Sequence, residues 1–302
     1  MKKNTIILAA VVIVVIVGIY FFINNSSNSV TLTNDQSLAT STKAGVGATS
    51  TKPVNKAETV IGQSILGNNI NAYHYGNGDK EILFVGGLHG GYEWNTVLVA
   101  YQLMDYLKAN PDAIPTSVKV TVIPVVNVDG LNKVVGTTGR FTASDVPKSE
   151  SATVAGRFNT NSVDLNRNFD CDWQASAVWQ NKTVSGGDAA FSEPESKAVK
   201  NYIEANKIKA AIVWYSAAGG VYSSNCHGSI LTETTALTNA YAKASGYPAY
   251  QEFDIYATTG DMVNWLAKKS IPAISVLLTN HTDVEWTKNL AGIQAVLKYY
   301  SK

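Results

Sequence analysis

The feature that most constrains the fold is a glycine-rich turn between an apolar run and a segment of helical periodicity. Residues 82–85 form the apolar run, which is typical of a buried strand. The turn, Gly86-Gly87-Leu88-His89-Gly90-Gly91-Tyr92-Glu93, follows it directly. Apolar and aromatic residues then recur at helical spacing at Val97, Ala100, Tyr101, Met104 and Leu107. Strand, tight turn and helix in this order predict an α/β fold.

His89 and Glu93 both lie on this turn, four residues apart. Glycines let a backbone bend sharply and leave room for a ligand. An imidazole and a carboxylate at this spacing can reach one ion, and zinc accepts nitrogen and oxygen ligands. Taken alone, the short motif fits equally well a plain turn with a hydrogen-bonded histidine and a glutamate at a helix start.

The rest of the chain continues the alternation of strands and helices. Strands are predicted over 59–66, 70–75, 118–126, 210–215 and 271–278, and helices from an N-cap at Ser192, over 260–268 and over 284–299. This order predicts a mixed, mostly parallel central sheet with helices on both faces. His89, Tyr215 and the region of Leu278 fall at carboxyl ends of strands, where such sheets place their sites.

The N-terminus predicts export. Residues 5–23 are almost wholly apolar and long enough to span a bilayer as a transmembrane helix. Lysines precede this segment, so residues 1–4 are predicted in the cytoplasm and the domain outside, extracellular or periplasmic. A cleaved signal peptide, giving a secreted protein, is the alternative. Residues 24–58 are rich in Ser, Thr and Asn and predict a flexible linker, which leaves 59–302 as one domain.

The net charge and the arginines indicate which binding partners to expect. The formal net charge of +1 gives no reason to expect nucleic acid. The three arginines, Arg140, Arg157 and Arg167, all fall between residues 127 and 170. A guanidinium can grip a carboxylate with two parallel hydrogen bonds, which a lysine cannot do.

A second motif, Asp164-Leu165-Asn166-Arg167-Asn168, resembles, together with the turn, the zinc metallocarboxypeptidases (carboxypeptidase A-like peptidases). The resemblance covers nearly all of 59–302. It implies the α/β fold of that family, one zinc ion bound by His89 and Glu93, and peptide C-termini as partners.

The resemblance also implies roles for further residues. Asn166 and Arg167 correspond to the pair that binds the free carboxylate of the substrate. Arg157 corresponds to the arginine that stabilises the oxyanion, with Arg140 as a weaker candidate. Tyr256 corresponds to a mobile tyrosine that closes over the substrate. Val263 corresponds to the floor of the specificity pocket and favours an apolar terminal side chain.

The chain departs from the family pattern at three places. Three residues rather than two separate His89 from Glu93. Tyr215 stands where the family has its third zinc ligand, a histidine, and a neutral phenol is a poor zinc ligand. Leu277 or Leu278 stands where the family has the glutamate that acts as general base. His227 and His281 are possible substitute ligands, and His281 and Glu285 are possible substitute bases.

The cysteine pair agrees with export. In an exported protein, Cys171 and Cys226 predict a disulfide, with two free thiols as the alternative. The resemblance places the two residues in loops that flank the expected site.

These observations favour an exported, membrane-tethered domain that recognises C-terminal carboxylates of protein or cell-wall peptides and hydrolyses them poorly or not at all. One alternative is an active zinc carboxypeptidase with a substitute ligand and base. A non-catalytic structural surface domain is the other alternative, but it has no use for the Asn166–Arg167 pair.

Overall fold

The computed structural model describes residues 57–302. The predicted cytoplasmic residues 1–4, the predicted transmembrane segment 5–23 and nearly all of the predicted linker lie outside these residues. Within 57–302, every helix is too short or too polar to cross a bilayer.

The described chain alternates strands and helices as the sequence indicates. The strands are β1 (Glu58–Gln63), β2 (Asn69–Tyr75), β3 (Lys80–Val85), β4 (Val118–Ile123), β5 (Ser176–Trp179), β6 (Lys182–Ser185), β7 (Ile208–Ser216), β8 (Gly220–Ser223), β9 (Ala249–Tyr250) and β10 (Ala273–Leu278). The helices are α1 (Trp94–Ala109), α2 (Val128–Val135), α3 (Glu150–Val154), α4 (Pro194–Ala205), α5 (Thr232–Ser245), α6 (Met262–Lys268) and α7 (Trp286–Tyr300). Single 3-10 turns occur at Pro111–Ala113, Ala143–Asp145 and Leu165–Arg167.

Eight strands form one mixed sheet in the order β1-β2-β4-β3-β7-β10-β8-β9, and β5 and β6 form a separate hairpin. Strands β4, β3, β7 and β10 are neighbours and run parallel, so their carboxyl ends meet at one edge of the sheet. Strands β1, β2 and β8 add antiparallel pairs on the flanks. The predicted mixed, mostly parallel sheet is confirmed.

The hydrophobic core lies on both faces of the central strands. Successive residues of a strand point to opposite faces, and β10 is buried at every position. Strands β3 and β7 are buried over almost their whole length, which requires cover on both sides. Tyr241 on α5 joins the sheet to α7, because its hydroxyl donates to Asn289 Oδ1 (2.8 Å) and accepts from Trp214 Nε1 (3.2 Å).

Several predicted boundaries were wrong by a few residues, mostly at prolines. The strand predicted over 118–126 ends at Ile123, because Pro124 has no N–H for the sheet ladder. The strand predicted over 271–278 begins after Pro272. Helix α4 is capped by Glu193 rather than by Ser192, since Pro194 occupies its first turn. Helix α5 and the β5–β6 hairpin were not predicted.

The predicted disulfide is confirmed. Cys171 and Cys226 are bonded, with their Cα atoms 6.1 Å apart. The bond joins the segment that follows Arg167 to the loop that follows β8. It therefore fixes two loops next to the cavity described below.

We expect the Cys171→Ala, Cys226→Ala double variant to lose about 2–4 kcal/mol of unfolding free energy, because the bond closes a loop between residues 55 positions apart and restricts the unfolded chain. Denaturant titration under non-reducing conditions measures the loss. The wild type in reductant is the matched control and should lose a similar amount. An unchanged midpoint in both would contradict a stabilising role.

Candidate functional site

The glycine turn brings His89 and Glu93 together at the end of β3. His89 Nδ1 lies 2.8 Å from Glu93 Oε1, and each side chain is about 3% exposed. The turn therefore accommodates three residues between them, one more than in the family pattern, and still brings the two side chains into contact. Gly90 has φ +46°, and a Cβ there would lie 2.7 Å from the carbonyl oxygen of Asn127 and 2.8 Å from that of Gly156. Only glycine fits this close approach, which packs the turn against the segment that carries Arg157.

His89 belongs to a buried cluster of four charged side chains. Its Nε2 lies 3.1 Å from Asp164 Oδ1. Asp164 Oδ2 accepts hydrogen bonds from Arg157 Nε (3.0 Å) and Nη2 (2.7 Å). Arg157 Nη1 is 3.7 Å from Glu93 Oε1, and the guanidinium packs 4.3 Å from the ring of Trp179 on β5. Each carboxylate in the cluster therefore contacts both of its cationic side chains.

Contacts within this cluster shift the pKa values of its members. Burial and Arg157 lower the pKa of His89, but Glu93 and Asp164 outweigh them, and the pKa is raised overall. Burial raises the pKa of Asp164, but Arg157 and His89 hold it far below its usual range. Both shifts come from the close contact of the two carboxylates with Arg157 and His89.

Asp164 is a site residue that the sequence interpretation missed. It orients the imidazole of His89 and the guanidinium of Arg157 at the same time. A carboxylate behind a ligating histidine fixes its ring and tautomer. In the sequence, its role was indicated by its position as the first residue of the motif that contains Asn166 and Arg167.

Arg167 is buried, and no carboxylate of the described residues lies within ion-pair distance of its guanidinium. Its Nη1 donates to the Asn166 carbonyl (2.8 Å) and its Nη2 to the Val178 carbonyl (3.0 Å). Its Nε is buried without a hydrogen-bond partner. The ring of Tyr256 lies 5.9 Å from the guanidinium carbon. The guanidinium is held in place by neutral groups, which leaves its charge available to an anion.

Tyr215 stands at the end of β7 and acts as a hydrogen-bond donor. Its hydroxyl donates to Asn166 Oδ1 (3.1 Å), and its ring centroid lies 5.9 Å from that of His89. Burial raises the pKa of the phenol well above its ordinary value. The side chain therefore stays neutral and positions Asn166.

The strand register distinguishes Leu277 from Leu278. Strand β10 pairs in parallel with β7, so that Leu277 lies opposite Tyr215 and Leu278 lies opposite Ser216. Leu277 lines the cavity, as does Ser275 two residues earlier, whereas Leu278 is fully buried on the other face. The residue at the position expected for the general base is therefore Leu277.

A cavity of about 220 Å³ opens over these groups. Its charged lining residues are His89, Glu93, Arg157, Arg167, Glu252 and Asp261. Its uncharged lining residues are Asn166, Tyr215, Ser216, Tyr222, Ser223, Asn225, Phe253, Tyr256, Thr258, Val263, Asn264, Ser275 and Leu277. The structure thus brings nine of the candidate residues to one cavity, and the roles that the sequence analysis gives them stay predictions: His89, Glu93, Arg157, Asn166, Arg167, Tyr215, Tyr256, Val263 and Leu277.

His281 lines an adjoining cavity that also contains Glu93 and Arg157. Asn95 Nδ2 donates to two backbone carbonyls, so its Oδ1 is the atom that accepts from the hydroxyl of Ser216 (3.0 Å). Ser216 Oγ must then accept from His281 Nδ1 (3.0 Å), which leaves Nε2 of His281 unprotonated. Burial lowers the pKa of His281. No ion pair joins His281 to Glu93 within the described residues.

Three other candidates lie away from the cavity lining. His227 pairs with Asp172, and its side chain is 71% exposed. Arg140 pairs with Asp105 at 2.8 Å, and both side chains are more than half exposed. Glu285 directly precedes α7, and its carboxylate accepts four hydrogen bonds, two from Thr279, one from Tyr247 and one from Lys288. The structure does not bring these side chains to the site.

Glu285 predicts a pH dependence of stability. Burial raises its pKa, but hydrogen bonds from Lys288, the Thr279 amide and Tyr247 lower it from 4.5 to about 2. Because the folded pKa is depressed, its contribution is complete above about pH 5 and is lost as the pH falls toward 2. We expect Glu285→Gln to lose about 1–2 kcal/mol of unfolding free energy at pH 7 and much less at pH 3. Denaturant titrations at both pH values measure this, and an equal loss at both would contradict it.

The donor set does not fit a catalytic zinc ion. His89 Nδ1 and Glu93 are suitable donors, but the third position holds a neutral phenol already bonded to Asn166. Over residues 57–302, no group of three or more His, Cys, Asp and Glu side chains is arranged to bind a metal.

The sequence model of the zinc carboxypeptidase family matches residues 48–289, which is most of the chain. The chain therefore belongs to the zinc carboxypeptidase family, as the two motifs indicate, and low identity to its relatives makes it a divergent member.

Among curated relatives, the chain is 25% identical over 222 residues to gamma-D-glutamyl-L-diamino acid endopeptidase 1 of Lysinibacillus sphaericus, covering 66% of this chain and 55% of that protein. It is 39% identical over 99 residues to rat (Rattus norvegicus) mast cell carboxypeptidase A, covering 32% of this chain and 22% of that protein. The chain thus spans about half the length of the first relative and about a fifth of the second.

Two solved structures illustrate the shared fold. Bovine thrombin-activatable fibrinolysis inhibitor, in complex with tick carboxypeptidase inhibitor, matches with a TM-score of 0.65 at 17% identity, over 80% of this chain and 89% of that chain. Murein-tripeptide amidase from Escherichia coli O157 matches with a TM-score of 0.55 at 17% identity, over 82% and 92%. At these identities the matches show the fold alone.

Proposed function

We propose that this domain binds the free C-terminal carboxylate of peptides and hydrolyses them poorly or not at all. The observation that carries the proposal is the buried guanidinium of Arg167, which lines the cavity without a carboxylate partner. A planar guanidinium recognises a carboxylate through paired, charge-assisted hydrogen bonds. Buried and immobilised by two carbonyls, Arg167 meets such a ligand with little loss of side-chain entropy.

Neighbouring groups suit the rest of a peptide end. Glu93 Oε2 is buried in the cavity lining without a hydrogen-bond partner, so it can accept from a ligand N–H. Tyr256 lies above Arg167 at the cavity and is placed to close over a bound residue. A structural surface domain gives no reason for these unsatisfied buried atoms.

Weak or absent hydrolysis is expected from the residues at two paired positions, Tyr215 on β7 and Leu277 on β10. Leu277 cannot take or give a proton, and loss of a general base typically removes about 10²–10⁴ in rate. Tyr215 donates a hydrogen bond where the family has a metal ligand. Both residues therefore weaken hydrolysis, Leu277 by lacking a proton-accepting group and Tyr215 by replacing a metal ligand.

The active-enzyme alternative rests on His281. Its unprotonated Nε2 and its place in a cavity shared with Glu93 and Arg157 favour a role as substitute base. It remains the weaker candidate, because no hydrogen bond or ion pair links it to His89 or Glu93 in the described chain. Measurable peptide release that disappears in His281→Ala would select this alternative.

We further propose that the domain acts outside the cell membrane, tethered by residues 5–23, on protein or cell-wall peptides. The disulfide supports an oxidising compartment. One relative is named for gamma-D-glutamyl-L-diamino acid bonds and one structural match is a murein-tripeptide amidase, which supports cell-wall peptides.

The test compares peptides with a free and an amidated C-terminus by calorimetry on the full chain. We expect binding of the free form only, and a roughly 10–100-fold weaker affinity in Arg167→Gln, since hydrogen bonds to charged groups contribute about 1.5–3 kcal/mol. Arg140→Gln is the matched control, because it removes an exposed arginine whose carboxylate partner, Asp105, is also exposed. Equal affinity for the amidated peptide would contradict carboxylate recognition.

A further inference from the structure

We propose that a cavity beside strand β2 binds an N-acetylated amino sugar through its acetamido group. This β2 cavity has a volume of about 310 Å³ and shares no lining residue with the cavity that contains Arg167. Pockets for small ligands begin at about 300 Å³, so the β2 cavity suits a single sugar residue. The proposal goes beyond carboxylate recognition and does not depend on it, because the sugar binds at a separate place.

The lining of the β2 cavity is polar but uncharged. The lining residues with a polar side chain are Asn69, Asn71, Tyr73, Tyr101 and Thr138. Gly139 and three apolar residues of the segment 124–128 complete the lining. Such a lining favours a neutral ligand over an ion, because an ion would lose its hydration without gaining a counter-charge.

Asn71 and Asn69 offer a hydrogen-bond acceptor and a donor to an amide. They are separated on β2 by buried Ile70, so both side chains project from the same face of the strand. Asn71 Oδ1 is buried without a hydrogen-bond partner, and a ligand N–H would remove the cost of that isolation. Asn69 Oδ1 accepts from Gln63 Nε2 (3.1 Å), which leaves Nδ2 of Asn69 to donate. An acetamido group matches this pair, because its N–H donates and its carbonyl accepts.

The rest of the lining suits the other parts of such a sugar. Val125 and Val128 are 3% and 2% exposed and provide an apolar surface for the acetamido methyl group. In the described residues, the hydroxyl of Tyr101 makes no hydrogen bond, and burial raises the pKa of this phenol to about 12, so it stays protonated. Thr138 adds a second hydroxyl to the lining. Both hydroxyls can exchange hydrogen bonds with those of a sugar ring.

The walls of the β2 cavity are tied together by contacts within the protein. Arg140 donates to both carboxylate oxygens of Asp105 on α1 (2.8 and 2.9 Å) and packs 4.8 Å from the ring centroid of Tyr101. These contacts join the loop that follows α2 to α1. Asn68 Nδ2 donates to Asp129 Oδ1 (2.8 Å), which joins the turn before β2 to α2. A cavity with walls fixed in this way loses little conformational entropy when a ligand binds.

The test compares chitotetraose with cellotetraose by calorimetry on the full chain. The two tetrasaccharides share their linkage and differ only in whether each ring carries an acetamido group or a hydroxyl at one position. We expect the wild type to bind chitotetraose at least about tenfold more tightly, because the acetamido group forms two additional hydrogen bonds. A saturating amount of a peptide with a free C-terminus should leave this affinity unchanged.

Variants of the lining residues test the assigned contacts. In Asn71→Leu the ratio of the two affinities should fall to about one, because leucine has a similar size and cannot accept a hydrogen bond. Asn69→Leu, at an exposed position, should lower the same ratio and serves as a second variant if Asn71→Leu folds poorly. Tyr101→Phe should weaken both sugars about 2–10-fold. Tyr106→Phe is the matched control on the same helix, because its hydroxyl accepts from Gln294 outside the cavity lining.

Three results with the sugars would overturn the inference: equal affinity for the two tetrasaccharides in the wild type, no binding of either, or a preference that survives in both asparagine variants. Displacement of chitotetraose by the peptide would also overturn it, because the sugar would then lie in the cavity that contains Arg167. Failure of the proposed function looks different, since free and amidated peptides would then bind alike while sugar binding remained.

The same sugar chemistry occurs in soluble oligosaccharides and in the insoluble glycan of a cell wall. Co-sedimentation of the full chain with purified murein distinguishes these two sources. Pelleting that chitotetraose reverses identifies the wall glycan, whereas binding of the tetrasaccharide without pelleting identifies a soluble oligosaccharide. Either result supports the β2 cavity if Asn71→Leu loses the binding, and contradicts it if that variant binds as the wild type does.

Discussion

The double variant Tyr215→His, Leu277→Glu is expected to bind one zinc ion per chain and to release C-terminal residues from peptides. The two positions lie opposite each other in the parallel pairing of β7 and β10, and both line the cavity beside His89 and Glu93. The histidine would add the missing nitrogen donor, and the glutamate would add the missing proton acceptor.

The single variants separate the two contributions. Tyr215→His alone should bind zinc but hydrolyse slowly, and adding Leu277→Glu should raise the rate by about 10²–10⁴, the usual contribution of a general base. Zinc is measured by elemental analysis and peptide release by chromatography. Leu278→Glu is the matched control, because that side chain lies on the other face of β10 and should give no activity. A folded double variant without zinc or activity would contradict the assigned roles.

Asp164→Asn is expected to lower the unfolding free energy by about 3–5 kcal/mol, the cost of leaving a buried charge without its partner. Asparagine keeps the shape of the side chain but removes the carboxylate that pairs with both Arg157 and His89. The cluster would then hold two cations against Glu93 alone.

Denaturant titration of the purified chain measures this loss. Asp105→Asn is the control, because it breaks the exposed pair with Arg140 and should cost less than about 1 kcal/mol. If the two substitutions cost the same, the buried cluster would not be the organising feature of the site.

The residues that the sequence places at the site are those in contiguous motifs. His89 and Glu93 share one turn, and Asn166 and Arg167 are adjacent, so local spacing was enough to pair them. Leu277 and Leu278 could not be separated from sequence, because only the pairing of β10 with β7 decides which side chain faces the cavity. Here the missing information was register.

Long-range contacts explain what the sequence did not predict. Asp164 acts on His89 across 75 positions of the chain, and this contact depends on the folded turn. The β5–β6 hairpin has only four residues in each strand, and half of them are polar, yet its Trp179 packs on Arg157 and its Val178 carbonyl accepts from Arg167. His227 and Glu285 looked suitable by residue type, but the ion pairs and hydrogen bonds of their own loops engage them elsewhere.

The contacts of the buried cluster join the two sequence motifs. In the described structure, His89 lies between Glu93 and Asp164, and these two carboxylates raise its pKa. Under the proposed function, the turn supports the cavity through these contacts rather than through a metal ion.

The most direct test of this account is the zinc content of the purified full chain, measured by elemental analysis beside the His89→Ala variant. The account predicts that the wild type holds no more zinc than the variant, while it still binds peptides with a free C-terminal carboxylate. One zinc ion per chain in the wild type, lost in His89→Ala, would contradict it and show that another side chain completes the metal site.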